Sequence, residues 1–132
     1  MENLDITVLR TLHGWLSQGQ RALLATVVRT WGSSPRPVGS IMALCESGAV
    51  VGSVSGGCIE DDLIHRYRTD LTDRAPVRVK YGVSADEAHR FGLPCGGTLE
   101  LLLEFNPDAD TLADLVARLS AGRMVQRSTE IA

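Results

Sequence analysis

The chain has 132 residues, 44% of them hydrophobic, and its 13 basic and 16 acidic side chains leave a formal net charge of -3 at pH 7. That size suits a single domain with one buried core, and the charge balance leaves no broad cationic footprint for a nucleic-acid backbone. No apolar run approaches the roughly 18 residues needed to cross a bilayer, and the N-terminus opens with Glu2 and Asp5 where a secretory leader would be basic and then apolar. A cytoplasmic protein, with neither nucleic acid nor membrane as partner, is therefore expected.

Leu4, Val8, Leu12, Trp15 and Leu16 recur at helical spacing and predict an amphipathic helix, weakened by Gly14 and ending near Gly19. The nearly continuous apolar run Ala22 to Val28 predicts a central strand covered on both faces. Thr30 to Gly39, with Pro35 and Pro37, predicts a structured loop. A hairpin should follow, Ser40 to Leu44 and Ala49 to Val54 turning at Glu46-Ser47-Gly48. After Gly56-Gly57 the period becomes helical, with Ile59, Leu63, Ile64, Tyr67 and Leu71 inward and Glu60, Asp61, Asp62, His65, Arg66 and Arg68 outward.

Val77, Val79 and Tyr81 alternate with Arg78 and Lys80 as a strand with one buried face. A short helix over Ser84 to Arg90 and a strand from Thr98 to Phe105 come next. Asn106-Pro107 reads as an N-cap and first helical position ahead of Leu112, Leu115, Val116 and Leu119, and Met124 to Ile131 as a last strand. This order predicts an α+β domain, a mixed sheet with helices packed on it, and not a regular doubly wound fold.

Two glycine-cysteine knots, Ser55-Gly56-Gly57-Cys58 and Pro94-Cys95-Gly96-Gly97, stand where one element gives way to another. A thiol can be presented from bare backbone only if its neighbours lack bulk. A glycine turn feeding a helix also aims unpaired N–H groups at one point, which can hold a phosphate or stabilise a thiolate. The alternative is that the glycines only turn the chain and Cys58 fills a gap. Cys45 ends the apolar run Ile41 to Leu44 and reads as a small buried hydrophobe.

A closed zinc site would need His65 or His89 to complete it, since the two knots lack paired close ligands. Gly32-Ser33-Ser34-Pro35-Arg36-Pro37 is a third candidate, with hydroxyls and a forked guanidinium on a stiff frame suited to phosphate or carboxylate oxygens. Trp31 beside it reads as a core anchor at the strand end.

At these three loops the chain resembles the XdhC/CoxI family, accessory factors of molybdenum hydroxylases such as xanthine dehydrogenase and carbon monoxide dehydrogenase. The resemblance is carried by Ala25 to Met42, Gly52 to Glu60, and Tyr81-Gly82 with Gly92 to Glu100. It implies a non-catalytic carrier that binds the molybdenum cofactor (molybdopterin, bare or nucleotide-extended) transiently, helps its sulfuration and delivers it to an apo-hydroxylase. A cysteine desulfurase would be a further partner, and a homodimer is compatible with so short a chain.

Carried over by motif, Cys58 and Cys95 would be the thiols near the cofactor, in transient contact with molybdenum. Arg36 with Ser33 and Ser34 would face its phosphate or dithiolene side, and Ser55, Gly56, Gly57, Gly96 and Gly97 would form the surrounding backbone. Longer members carry a dinucleotide-binding domain after this one; here a single domain over residues 1–132 is expected, without it. Two other readings stand beside the carrier: a thiol-based sulfur transferase or dithiol oxidoreductase using Cys58 and Cys95, and a module that docks onto the hydroxylase.

Overall fold

Ala22 to Val28 is apolar on both sides of its pleat, and only a strand covered on both faces keeps such a run out of water. Strand β1 (Ala22–Trp31) accordingly lies at the centre of one sheet, with Leu23, Leu24, Ala25 and Val27 all fully buried. The computed structural model describes residues 4–31, 37–54, 58–81 and 98–120, and for Leu4, Cys58 and Ser120 the backbone alone. The expected helix over Ser84 to Arg90 and the expected strand over Met124 to Ile131 lie outside those residues.

The remaining strands are β2 (Ile41–Cys45), β3 (Val50–Gly52), β4 (Val77–Tyr81) and β5 (Thr98–Phe105), in the order β3-β2-β1-β5-β4. The α+β class holds. Where a mixed sheet was expected, all four pairings between described strands run antiparallel. The short turn from β2 to β3 reverses the chain, and neighbouring strands joined directly in this way run antiparallel, whereas a parallel pair needs a long crossover.

Helix α2 (Cys58–Tyr67) covers one face, where Ile59 and Leu63 pack with Val27, Met42, Leu101 and Leu103. On the other face α1 (Leu4–Ser17) and α3 (Ala109–Ser120) meet the sheet and each other through Val8, Leu9, Leu12, Leu24, Ala43 and Leu112. Between these two helices runs a groove of about 350 Å³ lined by Arg10, His13, Ala113, Val116 and Ala117. β1 does not keep one phase along its length. Val27 pairs with Leu101 but Arg29 pairs with Glu100, so an extra residue bulges from β1 between them and the residues beyond it change face.

The hairpin turns as its sequence predicts, with the Cys45 amide donating to the Ala49 carbonyl at 2.9 Å and Gly48 in the left-handed region at φ 93°. Cys45 is buried, as expected, and its thiol donates to Gln20 Oε1 at 2.7 Å. Arg68, beyond the end of α2, reaches the same turn and donates to the carbonyls of Glu46 and Ser47.

Asn106 is not the expected N-cap. It takes a left-handed backbone (φ 50°), and its side chain accepts from the Ala22 amide at 2.9 Å while donating to the Leu71 carbonyl at 2.8 Å and the Asp73 carboxylate at 2.7 Å. One amide thus joins β1, the end of β5 and the chain after α2, satisfying backbone groups that would otherwise be orphaned at a sheet end. The cap of α3 falls to Asp108, whose carboxylate accepts from the Thr111 hydroxyl at 2.7 Å and amide at 2.9 Å. Those two bonds, the hydroxyl's first, hold the Asp108 carboxyl below its ordinary range.

Two glycines should respond to alanine with opposite signs. A Cβ at Gly14, inside α1, meets nothing within 4 Å, so Gly14→Ala is expected to stabilise by about 0.5–1 kcal/mol in denaturant titration. At Gly52 (φ 80°) the same atom would run into the Ile41 carbonyl oxygen and lie 2.8 Å from Val8 Cγ2, so Gly52→Ala should cost at least about 2 kcal/mol. Asn106→Ala, which strips three hydrogen bonds, should cost about 2–3 kcal/mol by the same measurement.

Candidate functional site

Strand direction places the candidate loops. β1 ends at Trp31, whose partner is Thr98, the first residue of β5; β4 ends at Tyr81, opposite Leu99; β3 ends at Gly52, opposite Met42 near the start of β2. The chain therefore leaves the same end of the sheet after Trp31, after Val54 and after Tyr81, and returns there at Thr98. Ser33, Ser34 and Arg36 follow the first of these points, Ser55, Gly56 and Gly57 the second, and Cys95, Gly96 and Gly97 precede the return. These nine residues lie outside the described ones; Cys58 is described as the first residue of α2.

Glu60 bonds back to the residue that precedes the first knot in sequence. Its carboxylate accepts from the Val54 amide at 3.3 Å, so the residue before Ser55 is bonded to the third residue of α2. Glu60 is 8% exposed, against the expectation that it faces solvent. A glutamate at the third helical position after a turn can reach back to an upstream amide, as in a capping box, and that spacing was the signal its sequence offered.

Asp62 also points inward rather than outward. It accepts from the Tyr81 hydroxyl at 2.7 Å and pairs with Arg66 Nε at 2.9 Å, which fastens the start of α2 to the end of β4. Burial, and then the bond to Asp62, pushes the Tyr81 hydroxyl well above its ordinary pKa of 10.0. Of the acidic run, Asp61 alone is exposed. With Glu60 bonded across the knot and Asp62 matched by Arg66, that run opposes an anion or thiolate at the N-terminus of α2 less than its formal charge suggests.

Trp31 is half-buried, not a core anchor. The Arg29 guanidinium lies 4.8 Å and the Lys80 ammonium 5.2 Å from its ring centroid. His65, one of the histidines considered for zinc, is exposed on α2. Among the described residues no group of three or more His, Cys, Asp or Glu is placed to hold a metal ion, and no helix is long and apolar enough to cross a membrane.

The XdhC and CoxI family profile matches residues 15–82, which takes in β1, the hairpin, the first knot, α2 and β4. The chain belongs to the XdhC and CoxI family. It is 31% identical over 119 residues to the molybdenum cofactor insertion chaperone PaoD of Escherichia coli (strain K12), a match covering 90% of this chain and 37% of PaoD. A probable xanthine dehydrogenase subunit from Bacillus subtilis (strain 168) is 28% identical over 85 residues, 64% of this chain and 26% of that protein. In three dimensions the chain is similar to a crystal structure described as a xanthine dehydrogenase from Bacillus halodurans, with a TM-score of 0.69 and 32% identity over 91% of this chain and 36% of that one. This XdhC/CoxI chain thus spans little more than a third of PaoD and of the Bacillus halodurans protein.

The bond from Tyr81 to Asp62 should be visible as a pH effect. Because folding raises the Tyr81 pKa, the protonated hydroxyl stabilises the fold fully below pH 10.0, and that contribution is lost as pH rises through the folded-state value. Tyr81→Phe should lose about 1–2 kcal/mol at neutral pH and show a shallower fall in stability above pH 10.0, read from denaturant midpoints across pH.

Proposed function

We propose that this domain is a carrier for the molybdenum cofactor, receiving it at the loop-bearing end of the sheet, assisting its sulfuration and passing it to an apo-hydroxylase. The observation that carries the reading is the common exit of the three motif loops, in a chain of this family whose Escherichia coli relative is named a molybdenum cofactor insertion chaperone. The cofactor is cargo here, so the site has to hold it without enclosing it.

The residues at that end fit such cargo. Thiolates are soft donors suited to a metal already bound by sulfur, so Cys58 and Cys95 are the proposed contacts to molybdenum. Either could also accept sulfur from a cysteine desulfurase as a persulfide, since the same nucleophilic thiolate serves both roles. Ser33, Ser34 and Arg36 are proposed to grip phosphate or dithiolene oxygen and sulfur atoms, with the forked guanidinium giving paired bonds. Gly56, Gly57, Gly96 and Gly97 would let the backbone approach a broad planar ligand without Cβ atoms in the way, and Ser55 would add a short hydroxyl beside the first pair. The same reading holds for a cofactor with or without a nucleotide extension. A homodimer would add walls around a ligand large for one small domain.

The test is co-expression with a cofactor-producing system and a client hydroxylase. The purified chain should carry molybdopterin in simple stoichiometry. Cys58→Ala or Cys95→Ala should lower hydroxylase activity on the order of tenfold or more at an unchanged amount of hydroxylase protein. Full hydroxylase activity with both variants would remove the thiols from the mechanism, and a chain that retains no cofactor would remove the carrier.

A further inference from the structure

On the sheet face opposite α2, the end of β1 and the end of β4 bring three cations around one carboxylate. Arg29 and Lys80 both stand opposite Glu100 in register, one from each neighbouring strand, and Arg78 approaches Glu100 Oε1 at 3.8 Å. Glu100 is 5% exposed, whereas Arg29, Arg78 and Lys80 are all exposed. Among the described residues, this carboxylate balances one of the three positive charges. The other two, Arg29 and Lys80, lean over the single Trp31 ring, 4.8 and 5.2 Å from its centroid.

Two like charges drawn to one ring repel each other, and at an exposed position the ring's attraction for each is small. An anion of charge minus two held between them would remove the repulsion and gain charge-assisted hydrogen bonds from both. The position is telling in a chain whose overall charge is -3. Trp31 is the last residue before the Ser33-Ser34-Arg36 loop, and its strand partner Thr98 directly follows the Cys95-Gly96-Gly97 knot.

We infer that Arg29 and Lys80, set over Trp31, form a phosphoryl-anion site on the face opposite α2, at the loop-bearing end of the sheet. Resting on the carrier reading, this site takes the phosphoryl end of the cargo and leaves the thiols to its metal end. The cofactor is then bound at two separated points, which fixes its direction on the sheet end.

Inorganic pyrophosphate is the probe. In a Trp15→Phe background Trp31 is the only indole, and its emission should change saturably with pyrophosphate as the two cations move off the ring onto the anion. Arg29→Gln and Lys80→Gln should each weaken binding by about tenfold, and added salt should weaken it further. Glu100→Gln should tighten binding several-fold, because it removes the competing carboxylate; a merely structural role for Arg29 and Lys80 gives no such gain. Calorimetric titration of the unsubstituted chain reads the same affinities should Trp15→Phe disturb the fold.

No saturable signal, or equal affinity in the Arg29→Gln/Lys80→Gln double variant, overturns the site. The cofactor arm separates the two proposals. If the double variant binds cofactor as the parent does, the assignment of this site to the cargo's phosphoryl end is wrong and the carrier reading stands. If pyrophosphate binds as described but no cofactor is ever retained, the site stands for another phosphoryl ligand and the carrier reading falls.

Discussion

β1 is hydrogen-bonded antiparallel to β2 on one side and to β5 on the other, and the direction of those ladders decides where the rest of the chain can go. A strand leaving one edge of an antiparallel pair must be met by another returning at that same edge. With β1, β3 and β4 all running one way and β2 and β5 the other, the connections after β1, β3 and β4 are compelled to one end. The opposite end receives the hairpin turn, the Asn106 junction and the start of β4. The amide that joins three segments therefore sits at one end of the strand axis, and the chain departs toward its glycine-bearing motifs from the other.

The layer on each face serves that division. α2 starts at the loop-bearing end and must run back across the sheet so that β4 can begin from the far side, and its N-terminal half is fastened by Glu60 to Val54 and by Asp62 to Tyr81. These bonds hold the element that carries Cys58 against the two strands from which other motif residues depart. An acidic first turn would ordinarily be read as a favourable match to the helix dipole. Here Glu60 and, one turn on, Asp62 act more specifically as anchors, and Asp61 alone of the three faces solvent.

Sequence patterning makes the strands legible where burial is simple. The run from Ala22 to Val28 declares a strand covered on both faces, and the hairpin announces itself through Glu46-Ser47-Gly48, because apolar period and turn chemistry are local signals. The misreadings share one cause. Asn106 resembles a cap because Asn before Pro usually is one, yet its partners Ala22 and Leu71 are far away in sequence and its left-handed backbone cannot be read from the residue type alone. Glu60 and Asp62 resemble a solvent face until Val54 and Tyr81 are beside them. The motif residues themselves are conspicuous through their glycines; what their spacing could not supply is the strand direction by which the chain departs after Trp31, Val54 and Tyr81 from one end of the sheet.

The extra residue in β1 after Val27 shifts the alternation by half a period. Were the ribbon regular, Arg29 and Trp31 would continue on the side of Val27 and be driven toward the hydrocarbon interior beneath α2. A single inserted position thus lets one continuous strand line the core beneath α2 in its first part and carry Arg29 and Trp31 on the opposite face in its last. A relative one residue shorter at this point would have to exchange apolar and cationic side chains along the remainder of the strand to keep the same arrangement, so an indel there rearranges more of that face than any single substitution.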